Sequence, residues 1–413
     1  MTGRARKTVV WAGALLTSAL VVGAVAIAPF GMADDAQDTS GIDNAAAILE
    51  QAAIKSSADW QDTYPNEFAT FMQNDENVAD VDYLEEYPFL STLYAGNAFS
   101  KGYEGARGHT YALEDVAATP RNPQLANCLS CKTPQMNALI ASGDVSVYSL
   151  PFQEVLDLTE EPVSCYTCHE NTGSELVVTN IFLNNALGDD VDAIDAANKV
   201  CGQCHDEYYF DPETKATMLP YTSLETMAPD TILAYYNDRD FSDYTDPQTG
   251  VAFVKVQHPE FETYLGEGSK MAALGYTCAS CHMGTSTDAD GNEFANHNLV
   301  SPLNNEELIA NDCSQCHQDL AAEVQAIQEG IDGRVRTIGQ KLADLTDTLA
   351  AAQEAGALSD GDFEKIAELD RTAMFYWDFV FVENGNGAHN SALATDCLDK
   401  AEAAVDEALE MLA

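Results

Sequence analysis

The chain has 413 residues, with 67 acidic against 19 basic side chains and a formal charge of −48. So acidic a surface repels DNA, RNA and anionic lipid, which excludes a nucleic-acid-binding role. It also repels an anionic substrate at long range, so any such substrate demands a local positive pocket.

At the N-terminus, Arg4, Arg6 and Lys7 precede an apolar run from Val9 to Ala28, and Gly31-Met32-Ala33 offers small residues for cleavage before Asp34. Residues 1–33 read as a signal peptide or an uncleaved membrane anchor, the run being just long enough to span a bilayer. Either way, everything after Asp34 is exported, to the periplasm or the outer face of the cytoplasmic membrane. Length alone would fit two or three domains, but the scatter of cysteines argues for one cofactor-filled unit over 34–413.

Ten of the eleven cysteines form five CxxC pairs: Cys128/Cys131, Cys165/Cys168, Cys201/Cys204, Cys278/Cys281 and Cys313/Cys316. Four pairs run directly into a histidine, at His169, His205, His282 and His317. Two thiols at this spacing each form a thioether with a haem vinyl group, and the next histidine ligates the iron. Zinc is the rival, but it needs no histidine immediately after the second cysteine, and five pairs do not divide into four-cysteine sites. The reading is five covalent haems c.

The first pair reads Cys128-Leu-Ser-Cys131-Lys132, with lysine in the histidine position. An amine binds iron only after losing its proton against an intrinsic pKa near 10.4, which the metal's charge can drive. The plain alternative is a surface lysine beside a disulfide. Of the eight histidines, only His109, His258, His297 and His389 remain as second ligands. Four cap at most four haems, so the haem at Lys132 keeps one face open to a substrate.

Beyond the last pair, Leu320, Val324, Ile327, Ile331, Val335, Ile338, Leu342, Leu345 and Leu349 recur at spacings of three and four, one stripe on a helix of about eight turns. Further helices are expected over about 362–383 and 394–412, the last with Leu398, Ala401, Val405, Leu409 and Leu412 on one side and Cys397 as a buried free thiol. Strand-like alternation is scarce. The fold class is mainly α with little β: a haem-binding part over 34–318, its five haems set in the core, and long C-terminal helices over 319–413, packed on each other or on a second copy.

With these motifs the chain resembles the pentahaem cytochrome c nitrite reductases, which carry one CxxCK haem followed by four CxxCH haems. The resemblance runs from about residue 90 to His389. It implies reduction of nitrite to ammonium by six electrons at the Lys132 haem, with the other four relaying electrons from a membrane quinol-oxidising multihaem cytochrome; the apolar stripe of the C-terminal helices, if it faces a second copy, would make a homodimer. Arg107-Gly-His109-Thr-Tyr-Ala, with Arg121 twelve residues on, resembles the stretch that supplies a distal ligand to the third haem (His109) and the active-site arginine. His205-Asp-Glu207-Tyr208-Tyr209 resembles the segment of calcium ligands and active-site tyrosine, and Lys255-Val-Gln257-His258-Pro259 the one with further calcium ligands and the catalytic histidine. Calcium is then held by Glu207, Gln257 and the carbonyls of Tyr208 and Lys255. His297 matches the distal ligand of the second haem and His389 that of the fourth.

With His258 spent on catalysis, the fifth haem lacks a histidine. The family commonly has one shortly before the fourth CxxCH; here Met271, seven residues before Cys278, is the thioether substitute. Lys270 or a five-coordinate iron are the alternatives. Two other functions stay open on the residues: an electron carrier without substrate chemistry, and a reductase of hydroxylamine or sulfite.

Overall fold

The structure is a computed structural model that describes residues 40–78 and 81–413. The export segment expected over 1–33 lies outside the described residues, and among those described no helix is long and apolar enough to cross a membrane.

The apolar stripe after the last cysteine pair becomes one helix, Leu320–Glu354, about 52 Å long. Asp319 starts it by accepting the Ala322 N–H at 3.0 Å. Gly356 stops it at φ +62°, a left-handed turn that closes the last carbonyls. Burial divides the stripe. Ile331, Val335, Ile338, Leu342, Leu345 and Leu349 are buried, whereas Leu320, Val324 and Ile327 are only half-buried.

The second long helix, Asp360–Phe381, begins at the Ser359 cap. Its last turns are buried on every side, with Phe375, Trp377 and Phe379 at 1 % exposure or less, so it is the central element of the bundle. Trp377 Nε1 donates to Val335 O at 2.8 Å. The third, Ser391–Leu412, starts three residues before the stripe predicts, because Asn390 caps it through the Leu393 N–H. Leu398, Ala401 and Val405 face the core beside a fully buried Cys397, while Leu409 and Leu412 are partly buried against it. Gly339 admits Phe89 to the first long helix: a Cβ there would lie 2.5 Å from the ring.

A second apolar cluster gathers Leu129, Met136, Leu139, Val147 and Val155 around the helix Pro134–Ala141, directly after Lys132. Thr133 caps that helix and Pro134 opens it.

The β structure described is three two-stranded antiparallel ribbons: Tyr209–Phe210 with Thr217–Met218, Tyr244–Thr245 with Ala252–Phe253, and Thr285–Thr287 with Glu293–Ala295. The first two turn on the same four residues, Asp-Pro-x-Thr. Asp211 accepts the N–H groups of Glu213 and Thr214 and the Thr214 hydroxyl, and Asp246 does the same with Gln248 and Thr249. These turns hold the flanking segments that carry Glu207-Tyr208 and Lys255-His258.

Candidate active site and haem-binding network

In the second and fourth motifs the cysteines and histidine occupy one helical turn, Cys165–His169 and Cys278–His282. Residues three and four apart share a helix face, so both thiols and the imidazole point the same way. Each turn is fixed by a reciprocal cap: Ser164 N–H to Thr167 Oγ1 at 3.1 Å, and Thr277 N–H to Ser280 Oγ at 3.0 Å. The third motif continues the helix Ala196–Gly202, with His205 N–H bonded to Cys201 O at 3.0 Å. The fifth makes the same turn from His317 N–H to Cys313 O at 2.9 Å. At the first, Lys132 N–H bonds Leu129 O at 3.0 Å. None of the eleven cysteines is paired in a disulfide.

The five motifs are not equally deep in the chain. Cys316 is exposed, whereas the other nine motif cysteines are half-buried. The physical reason is local. Cys313–Gln315 is a short 3₁₀ turn, and the residues around it, Asp312, Ser314, Gln315 and Gln318, are polar and exposed, so the turn offers no apolar face to draw Cys316 inward. The Cys316 N–H bonds Cys313 O at 3.1 Å, which keeps the two thiols on one turn at the surface.

The motifs adjoin in an order that differs from their order in the chain. The Cys131 thiol meets Cys204, and the Cys201 thiol meets Cys278. Cys168 sits close enough to act on Cys201, and Cys313 on Cys281. The third motif thus meets the first and the fourth and lies near the second, and the fifth lies near the fourth.

Six histidine rings form three pairs. Ring centres lie 6.1 Å apart for His109 and His205, 6.2 Å for His169 and His297, and 6.0 Å for His282 and His389. A metal held between two imidazoles through nitrogen bonds of about 2 Å would set their ring centres roughly 6 Å apart, so this spacing would suit an iron between each pair; the His205 and His258 rings stand at a similar 6.3 Å, so for His205 it is the family resemblance that selects His109. Four of the six rings have an outer nitrogen anchored as metal-bound imidazoles require. His169 Nδ1 faces Glu175 O (3.1 Å), His297 Nδ1 faces Ala295 O (2.8 Å), and His282 Nδ1 faces Val300 O (3.0 Å). His389 Nδ1 bonds the buried Glu383 carboxylate, and His205 Nδ1 lies 3.9 Å from Glu260. A cavity of about 250 Å³ opens beside Cys281 and His282, lined also by Gln73, Asn296 and Asn298. His317 turns Nδ1 to Glu323 at 2.7 Å and has no imidazole at the paired spacing among the described residues. Met271 is half-buried on the short helix Lys270–Ala273, directly ahead of the fourth motif, and its carbonyl accepts the Tyr276 N–H.

Around the first motif the four expected catalytic side chains converge. Arg121, held by Thr119 Oγ1 at 2.7 Å and lying over the Phe99 ring, acts electrostatically on Cys128 and on Tyr208. Burial raises the Tyr208 phenol well above its ordinary value, with Cys131 and Cys128 adding to the rise, so Tyr208 is a neutral donor. Lys132 acts on His109, His205 and His258 together. Burial pushes the His258 imidazole down to about 4, Glu260 opposing and Lys132 adding to the fall, and its Nδ1 is buried without a partner. In a chain of charge −48, Arg121 supplies the local positive charge that an anion needs.

The expected calcium ligands also lie together. Glu207 is fully buried with no cationic partner; it accepts Tyr236 Oη–H at 2.8 Å and the Gln257 N–H at 2.6 Å. The Gln257 amide stands 3.1 Å from Lys255 O. The Lys255 ammonium points away, to Asp378 at 3.1 Å. One carboxylate beside an amide and a carbonyl offers hard oxygen donors, and burial raises the Glu207 carboxyl well above the usual carboxylate range.

Sequence reasoning missed three carboxylates. Glu260 stands between His205 and His258, 3.9 and 4.0 Å from their Nδ1 atoms. Glu383 holds His389, and Asp378 anchors Lys255. The paired glycines of Glu383-Asn-Gly385-Asn-Gly387 were the available signal for the second.

Fold and motifs together define a mainly helical, multihaem c-type cytochrome. The chain belongs to the cytochrome c552 family, whose model matches residues 56–413. It is 28% identical to the cytochrome c nitrite reductase subunit NrfA of Nitratidesulfovibrio vulgaris, over 88% of this chain and 79% of that one. It is 30% identical to cytochrome c-552 of Bacteroides fragilis, over 80% and 69%. Its structure superimposes on the catalytic subunit NrfA from Desulfovibrio desulfuricans, described with two calcium sites, at a TM-score of 0.77, 25% identity and 86% coverage of both chains.

Proposed function

We propose that this protein is an exported, ammonia-forming nitrite reductase that carries five haems c and takes nitrite to ammonium by six electrons at the haem attached through Cys128 and Cys131, with Lys132 as its axial ligand. The observation that carries the reading is the convergence of Arg121, Lys132, Tyr208 and His258 at the one motif without a histidine. Haem held there by Cys128, Cys131 and Lys132 would supply the electrons and the iron that binds nitrite. Arg121 and His258 hydrogen-bond the nitrite oxygens, Arg121 offsetting the anion's charge. His258, neutral at pH 7, is both donor and acceptor and passes protons as each N–O bond breaks. Tyr208 adds a neutral donor.

The three histidine pairs hold the second, third and fourth haems, and His317 the fifth, with Met271 as its second ligand. The exposure of Cys316 supports a fifth haem near the molecular surface, within reach of an electron donor. Calcium, held by Glu207, Gln257 and the Tyr208 and Lys255 carbonyls, places positive charge beside the site. The half-buried Leu320, Val324 and Ile327 support a homodimer through the first long helix, and electrons arrive from a membrane quinol-oxidising multihaem cytochrome.

The test is a pyridine haemochrome count followed by anaerobic reduction, nitrite addition and an ammonium assay. Five haems per chain and six electrons consumed per ammonium are expected. Fewer haems, or reduced protein that nitrite does not reoxidise, overturns the reading.

A further inference from the structure

The histidine pairs differ in what their outer nitrogens touch. In the pair of the second motif, both rings donate to backbone carbonyls, His169 to Glu175 O and His297 to Ala295 O. In the pair of the fourth, His282 faces the Val300 carbonyl but His389 bonds the Glu383 carboxylate.

That contact is built by the chain. Glu383 follows the second long helix, is 2 % exposed, and receives the Gly385 N–H at 3.1 Å and the Gly387 N–H at 3.5 Å. Gly387 at φ +83° and Asn386 at φ +48° turn the loop back so that His389 returns over the carboxylate. Gly385 is required by the close approach: a Cβ there would lie 2.7 Å from His389 Nδ1 and 2.9 Å from Glu383 Oε1.

A carboxylate that accepts the Nδ1 proton draws an imidazole toward imidazolate, making it a stronger donor to metal, whereas a carbonyl does so weakly. A stronger donor, and a buried negative charge near the iron, both favour the ferric state. We propose that Glu383 is a positioning residue that fixes the His389 ring and lowers the reduction potential of the fourth haem below that of the second. This rests on the reading that His282 and His389 ligate one iron.

Potentiometric titration followed by electron paramagnetic resonance tests it on the full-length, haem-loaded protein and on Glu383→Gln, which keeps the shape and removes the charge. One bis-histidine haem should shift to a higher midpoint while the others stay in place. Glu383→Asp, which keeps the charge but draws it back by one methylene, should give a smaller shift in the same direction. Five haems with unchanged midpoints in both variants overturn the proposal, as does loss of the fourth haem from both, which makes Glu383 a structural residue only. A wild-type count below five haems, or no bis-histidine signal, instead defeats the underlying ligand assignment.

Discussion

At the residue scale, His258 and Arg121 have separable roles. His258→Asn keeps the size but removes a titratable ring, and should lower kcat/KM for nitrite by about 10²–10⁴ with five haems retained. A dye-coupled nitrite assay beside a haemochrome count measures this. Met271 is testable by spectroscopy alone. The oxidised protein should show the near-infrared charge-transfer band of iron–methionine ligation, and its survival in Met271→Leu removes Met271 from the fifth haem. The attachment motifs and the exceptional lysine were legible in the sequence because covalent chemistry ties thiols and ligand into five consecutive residues. Their depth in the fold was not, since Cys316 shares its CxxCH motif with three pairs that lie deeper and differs only in the polar residues around it. Histidine partners such as His109 for His205 were legible only through family resemblance, since 96 residues separate the two positions. Glu260 and Glu383 were not legible, because a carboxylate near a histidine in sequence carries no signal until the loop geometry aims it.

At the scale of elements, the long helices were readable from apolar spacing, and their starts from Asp319, Ser359 and Asn390. What spacing could not show is how the second helix is tied to the catalytic segment. Asp378 accepts the Lys255 ammonium, the Val256 N–H at 2.9 Å and the Tyr94 hydroxyl at 2.5 Å, all buried. Removing one partner of such a pair strands the other, so Asp378→Ala should cost roughly 3–5 kcal/mol by denaturant unfolding of the haem-loaded protein.

The same helix carries Asp370, 2 % exposed, whose Oδ2 has no partner. Burial first, and then the nearby Asp246, push its carboxyl up to about 8. The folded state therefore holds a proton that the unfolded state releases near pH 4. Its contribution is complete below that pH and is lost as pH rises through about 8, a slope of at most about 1.4 kcal/mol per pH unit. Asp370→Asn should flatten unfolding free energy over pH 4–8, and an unchanged slope would refute the assignment.

At the scale of the whole molecule, the charge of −48 opposes compaction. Raising ionic strength from about 0.01 M to 1 M shortens the screening length from about 30 Å to 3 Å. The unfolding temperature should rise over that range in sodium chloride, and a neutral osmolyte at matched osmolality should not reproduce the ionic-strength dependence. The KM for nitrite should fall at the low end of the range as long-range repulsion is screened, while the half-buried Arg121, close to the substrate, keeps its effect.

The adjacency of the attachment motifs gives the molecule the wiring of a branched circuit with the third motif as its junction. A break at a terminal branch, as in Cys165→Ser with Cys168→Ser, leaves a continuous path from the fifth motif to the first. A break at the third, as in Cys201→Ser with Cys204→Ser, separates the first from every other. In rapid-mixing experiments with a slow reductant, the first lesion should preserve the reoxidation of the remaining haems by nitrite. The second should leave them charged while only one haem turns over.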